Sequence, residues 1–171
     1  VIATPEPKFF GGWTNTFTYK NLSLSFLMQF SCGGEAVYSN LGEEISGVLG
    51  QSVGRELYGN TWTPERTDAK YARLVAGTMS YNYMANDRFV FDTSYLRMKN
   101  ITLSYSLPKA WINKLYLSNA SLFVTATNLF TITQWPGLDP ETVATGITSM
   151  GTNNDPYPLS RSFSLGVKLQ F

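Results

Sequence analysis

Ten consecutive residues, Ser162 to Phe171, alternate without exception between a small or polar side chain and an apolar one. Phe163, Leu165, Val167, Leu169 and Phe171 are apolar, whereas Ser162, Ser164, Gly166, Lys168 and Gln170 are not. A helix repeats its faces every ~3.6 residues and cannot use such a period. A β-strand repeats every two, so this segment specifies a strand with two chemically different faces.

The same period recurs upstream. In Leu22 to Ser31, Leu22, Leu24, Phe26, Met28 and Phe30 oppose Ser23, Ser25, Gln29 and Ser31, and only Leu27 breaks the pattern. In Phe9 to Tyr19, Trp13, Phe17 and Tyr19 oppose Thr14, Thr16 and Thr18. In Tyr95 to Leu107, Ile101, Leu103, Tyr105 and Leu107 oppose Thr102, Ser104 and Ser106. In Ser121 to Thr133, Leu122, Val124, Ala126, Phe130 and Ile132 oppose Thr125, Thr127 and Thr131. The Thr, Val, Ile and aromatic content of these runs suits a pleated, half-buried surface. The chain is therefore expected to be all-β, with five antiparallel strands.

The connections alternate in length. Lys20-Asn21 is a tight turn, Cys32 to Arg88 a very long excursion, Pro108 to Ser118 short, and Gln134 to Leu159 long. Short turns on one side and long loops on the other describe a membrane β-barrel. A soluble sandwich keeps most loops short. No acidic residue lies in the five strand segments, whose polar face is Ser, Thr, Asn, Gln and a few basic residues. Such groups suit a lumen, while unbroken apolar side chains suit lipid. Trp13, Tyr19, Tyr105, Phe163 and Phe171 would then stand in interfacial aromatic girdles. The competing reading of the alternation is a secreted β-sandwich that binds carbohydrate.

Composition removes several other classes. Thirteen Lys and Arg against twelve Asp and Glu give +1, without the basic excess that a nucleic-acid binder needs. There is no His, the commonest general base, and one Cys, too few for a disulfide or a Cys-rich zinc site. No apolar run reaches the 18 residues of a transmembrane helix. Val1 to Lys8 lacks the basic start and apolar core of a signal peptide.

The closing strand resembles the C-terminal signal of bacterial outer-membrane proteins, a terminal Phe preceded by apolar residues at alternate positions. Phe163, Leu165, Val167, Leu169 and Phe171 fit it throughout. On this reading the barrel-assembly machinery is a partner during biogenesis, or the chain is a fragment held as its client.

Six blocks, in order, carry a family resemblance: Lys8-Phe9-Phe10-Gly11-Gly12; Trp62-Thr63-Pro64-Glu65; Tyr95 to Leu103, followed by Leu107-Pro108-Lys109; Asn128-Leu129-Phe130-Thr131; Gly137-Leu138-Asp139-Pro140-Glu141; and Pro156-Tyr157-Pro158 with Arg161 and Phe171. Together they resemble the C-terminal portion of SusC/RagA-type TonB-dependent outer-membrane transporters. Arg66-Thr67 stands where the family often has Asn-Pro, and Ala72 where a Pro often precedes Arg73. The resemblance implies a 22-stranded barrel with an internal plug, a size at which the lumen is filled. It implies a SusD-like surface lipoprotein as lid, energy from the TonB complex, and import of oligosaccharides or, in some members, peptides. No cofactor, metal or nucleic acid is implied.

Five strands cannot close a barrel in lipid, where the smallest single-chain barrels use about eight. An open edge would leave backbone groups unsatisfied at several kcal/mol each. Residues 1–171 are therefore expected to be a C-terminal piece whose plug and remaining strands lie elsewhere. Residue 171 is expected on the periplasmic side and Val1 on the extracellular side.

Catalytic chemistry finds little footing. Adjacent Glu43-Glu44 reads as part of a short loop helix begun at Asn40, with Ile45, Val48 and Leu49 on one face. Gly33-Gly34 lacks the Lys-Ser/Thr of a phosphate loop. Asp139 and Glu141 could touch calcium, but Asp139-Pro140 reads as a turn. An enzyme is not expected. Loop aromatics are the remaining candidates for sugar stacking or lid contact: Trp62, Tyr71, Tyr81, Tyr83 and Trp135, with Tyr38 and Tyr58 beside them. Their alternative role is to pack the long loops.

Overall fold

The computed structural model describes residues 3–38, 54–74, 87–113, 116–143, 152–153 and 157–171. It divides into two compact units. One is the strand-rich unit of Pro7–Gly33, Ser94–Gln134 and Pro158–Phe171; the other comprises Val1–Glu6, Gly34–Thr93 and Trp135–Tyr157.

The strand-rich unit is a single antiparallel sheet. Its strands are β1 (Phe9–Tyr19), β2 (Leu22–Cys32), β5 (Tyr95–Ser106), β6 (Asn119–Thr127), β7 (Thr131–Thr133) and β9 (Ser162–Gln170). The order is β1-β2-β5-β6-β9, with β7 on β5 beyond the end of β6. Each long strand pairs with the next long strand in the chain, an up-and-down meander. Lys20 takes a left-handed φ of 53° in the two-residue turn between β1 and β2. The one-turn helix α1 (Lys109–Ile112) stands in the short connection between β5 and β6. Among the described residues β1 and β9 form the two open edges, and the sheet does not close on itself.

Two irregularities sit at one level of the sheet. Leu27 pairs with Asn100 but Met28 pairs with Met98, which leaves Lys99 as an extra residue in β5. On the other flank, Asn128-Leu129-Phe130 faces Met98-Lys99, and Asn128 is left-handed at φ 49°. The Asn128 and Leu129 amides donate to the Lys99 and Met98 carbonyls at 3.0 Å, and the Met98 amide donates to Phe130 at 3.0 Å. The expected strand Ser121–Thr133 is thus two strands joined by a bulge. The bulge in β5 has a sequence cause. Leu96 and Met98 are even-numbered, whereas Ile101, Leu103 and Tyr105 are odd. One inserted residue brings both sets to the same face. Leu96 then lies opposite Phe30 and Ile132, and Met98 opposite Met28.

The second unit holds a smaller sheet, β4-β3-β8, built from β3 (Glu35–Tyr38), β4 (Val90–Asp92) and β8 (Thr152–Asn153). Its β3–β8 pairing is parallel. Single 3-10 turns occupy Arg55–Leu57, Asp87–Phe89 and Pro140–Thr142. The last is the turn anticipated at Asp139-Pro140: the Asp139 carboxylate accepts the Glu141 amide at 3.0 Å. Two small cores hold this unit, Leu57 with Phe89 and Ala36 with Tyr38 and Trp135. The helix expected from Asn40 lies outside the described residues.

Candidate functional site

Register decides which side chains share a face. Directly paired positions run Phe17–Leu24–Leu103–Val124–Leu165 across the five long strands, then Tyr19–Leu22–Tyr105–Leu122–Val167 one level nearer the tight turn. The level on the other side is Asn15–Phe26–Ile101–Ala126–Phe163. This face carries no charged residue, and Asn15 is its one amide. The opposite face runs Thr16–Ser25–Thr102–Thr125–Ser164, with Thr18–Ser23–Ser104 beside it. Its hydroxyls bond across strands: Thr16 to Ser25 at 3.2 Å, Thr102 with Thr125 at 2.9 Å, and Thr127 with Ser162.

The apolar face is uncovered. Fourteen of its large side chains are exposed, from Phe9 and Trp13 on β1 to Phe163, Leu165, Val167 and Leu169 on β9. Fully burying one such side chain is worth ~1.5–3 kcal/mol. At about half exposure the face forgoes roughly 10–20 kcal/mol in water, as much as the whole stability of an ordinary domain, ~5–15 kcal/mol. A sandwich would bury such a face under a second sheet, whereas these side chains are exposed. Lipid would satisfy it without one. β1 has eleven residues, ~33 Å at strand rise. Tilted ~45°, it rises about 25 Å, the height of the apolar band of an outer-membrane barrel.

The polar face is not uniform. Arg97, on the level of Gln29 and Thr131, is 3% exposed. Its guanidinium lies 5.8 Å from the Tyr95 ring, and Gln29 donates to the Tyr95 hydroxyl at 3.1 Å. Sequence reading passed over Arg97, because a lone basic residue in a strand carries no pattern. Leu27, the exception to the alternation, belongs to this face next to Gly12. Phe123 does too, lying over Gly166.

The β9 residues Phe163, Leu165, Val167 and Leu169 share the apolar face, with Phe171 exposed directly after the strand. Among the described residues the outer edge of β9 has no paired strand.

The loop aromatics do not converge on one place. The Trp62 amide donates to the Tyr71 carbonyl at 2.9 Å, and the Tyr71 amide to Asn60 at 3.0 Å, which pinches residues 60–71 into a closed loop. Pro64-Glu65 turns its tip, with Thr63 and Arg66 exchanging backbone bonds of 3.2 and 3.0 Å. Tyr71 packs against the Leu57–Phe89 core, while Trp62 is partly exposed. Trp135 is elsewhere and 5% exposed, edge-on to Tyr38 at 5.6 Å and to Phe91 at 6.3 Å. Tyr58 is exposed. Tyr81 and Tyr83 lie outside the described residues.

No protein-family model matches the chain. Over its whole length it is 31% identical to TonB-dependent receptor P3 of Formosa agariphila and spans 17% of that protein. It is 32% identical to TonB-dependent receptor SusC of Bacteroides thetaiotaomicron, of which it spans 16%. Among solved structures, the RagAB peptide transporter superposes with a TM-score of 0.82 at 22% identity, covering 100% of this chain and 18% of that one. The RagAB peptide importer in its closed-closed state gives 0.82 at 23% identity. These structures establish the fold of the segment. The chain spans about a sixth of the length of the curated relatives it matches.

Proposed function

We propose that this chain, which is homologous along its whole length to SusC/RagA-type TonB-dependent receptors, is part of the wall of an outer-membrane transport barrel. The observation that carries the proposal is that one face of the five strands carries no charge and is almost wholly apolar, while hydroxyls dominate the other, and that this division is maintained through two bulges. Fourteen exposed apolar side chains face lipid, and the hydroxyl-lined face looks into a lumen. The remaining strands, up to 22, pair with the open edges of β1 and β9, because lipid leaves no other partner for their backbone groups.

The protein is then a transporter rather than an enzyme. Nutrient import through the barrel is driven by the TonB complex, with a plug in the lumen and a SusD-like surface lipoprotein as lid. The cargo is an oligosaccharide or a peptide; a solved neighbour named as a peptide importer supports the second. β9 presents its apolar row to the barrel-assembly machinery, with residue 171 on the periplasmic side and the long connections outside the cell.

Affinity purification of the complete receptor from outer membranes tests this reading. It should require detergent and bring down a surface lipoprotein. A receptor released into aqueous buffer without detergent would contradict it.

A further inference from the structure

Lys20 does not continue the alternation of β1. In the two-residue turn its backbone is left-handed, φ 53°, and its ammonium lies 5.3 Å from the centroid of the Tyr19 ring. Tyr19 stands on the apolar face, 72% exposed, in the last apolar level before the turn, Tyr19–Leu22–Tyr105. The turn thus folds a cation back over the apolar face at its tight-turn margin. Its position is fixed by backbone: the Ser106 amide donates to the Asn21 carbonyl at 2.8 Å, which ties the turn to the end of β5 beside Tyr105.

No acidic side chain competes for this ammonium within the sheet unit, which holds eight Lys and Arg and no Asp or Glu. The carboxylate of Phe171 follows β9, three strands beyond β2 in the sheet order. At ~4.8 Å per strand that is about 14 Å, past the ~8 Å over which salt screens exposed charges. An ammonium has three N–H donors, and a ring face takes up only one side of it. Tyr19 and Tyr105, both exposed, add phenol donors on the same level, about 10 Å apart across two strands.

We infer that Lys20, Tyr19 and Tyr105 form a binding site for the phosphate of an anionic phospholipid head group. The inference rests on the reading of the apolar face as lipid-facing and goes beyond it: interfacial aromatics alone do not discriminate head-group charge, whereas this site does. Two arguments select the occupant. The site is continuous with the apolar face, so a lipid whose chains cover Leu22 and Leu103 brings its phosphate to the level of the turn. Charge complementarity then favours a head group whose only charge is the phosphate, because it meets donors alone. A zwitterionic head group carries its own ammonium, which needs a carboxylate and would meet Lys20 instead.

The test uses the complete receptor in phosphatidylethanolamine vesicles with a trace of photoactivatable phosphatidylglycerol or phosphatidylcholine, each carrying a diazirine next to the ester of one chain. Labelled residues are mapped by mass spectrometry. Residues 19–22 should be labelled roughly fivefold more by the phosphatidylglycerol probe, the preference that one lysine near a lipid surface confers. Lys20→Asn supplies a neutral residue that tolerates the left-handed turn and should bring the ratio of the two probes close to unity. Lys20→Arg keeps the charge and should keep the preference. No label at residues 19–22, equal labelling by the two probes, a preference that survives Lys20→Asn, or one lost in Lys20→Arg would each overturn the inference. The same lipids with the diazirine at mid-chain test the barrel reading separately. They should label β1 at Phe17 in every variant, and a receptor without that label would overturn the lipid-facing wall itself.

Discussion

Gly166 lies directly opposite Phe123 across the β6–β9 pair, and the Phe123 ring occupies the space that a side chain at residue 166 would need. Gly11 and Phe30 repeat the arrangement across β1–β2, where an added Cβ would meet the ring at 3.0 Å. Both glycines lie in the edge strands. A Gly weakens a strand because it has nothing to pack, and a cross-strand aromatic laid over it restores the missing contact.

Gly166→Val should therefore destabilise the sheet by about 1–3 kcal/mol through overpacking. Phe123→Ala in the same protein should recover a large part of the loss, because it removes the clash. Denaturant unfolding of the reconstituted receptor measures both. Equal cost in the single and double variants would place the strain elsewhere.

The two faces of β6 differ in what they tolerate. Val124→Arg puts a guanidinium on the apolar face near the middle of its strand, at a cost of about 2–4 kcal/mol in a bilayer. Thr125→Arg, one residue on, points into the hydroxyl-lined face and should cost less than ~1 kcal/mol. Folding yield into phospholipid vesicles separates them, with Val124→Arg depleted and Thr125→Arg near wild type.

Asn128 has two tasks. It adopts the left-handed conformation of the bulge, and its Nδ2 donates to the Ser160 carbonyl at 3.0 Å ahead of β9. Asn128→Ala loses both and should cost about 1–3 kcal/mol. Asn128→Gly keeps the conformation, so it should lose only the hydrogen bond, about 1 kcal/mol. Faster proteolysis near residues 158–161 in Asn128→Ala than in Asn128→Gly is the expected readout.

Trp135 and Trp62 should respond differently to truncation. Trp135 is enclosed by Tyr38 and Phe91, so Trp135→Ala should cost the loop unit about 3–5 kcal/mol. Trp62 is partly exposed, and Trp62→Ala should cost under half as much. Hydrogen exchange at Val37 and Phe91 reports the difference.

The strands were legible because a period of two leaves a mark on every residue, as in Ser162 to Gln170. Register was less so. That Leu96 and Met98 join the apolar face depends on a bulge at Lys99, whose mark in the sequence is the switch of apolar positions from even to odd between Met98 and Ile101. Leu27 read as noise, yet it packs beside Gly12 on the polar face. The loop aromatics had no period to follow. Tertiary contacts alone separate Trp135, in a core, from Trp62 at a pinched loop, and the small β4-β3-β8 sheet arises from segments more than fifty residues apart.

The most direct test of the central claim is a nitroxide scan of Ser162 to Gln170, in the complete receptor with Cys32→Ala, reconstituted in lipid. Accessibility to oxygen, which concentrates in the bilayer, should peak at residues 163, 165, 167 and 169 and fall at the positions between. A profile without that period of two, or one in which the odd-numbered sites are reached by a water-soluble nickel complex, would contradict a lipid-facing wall.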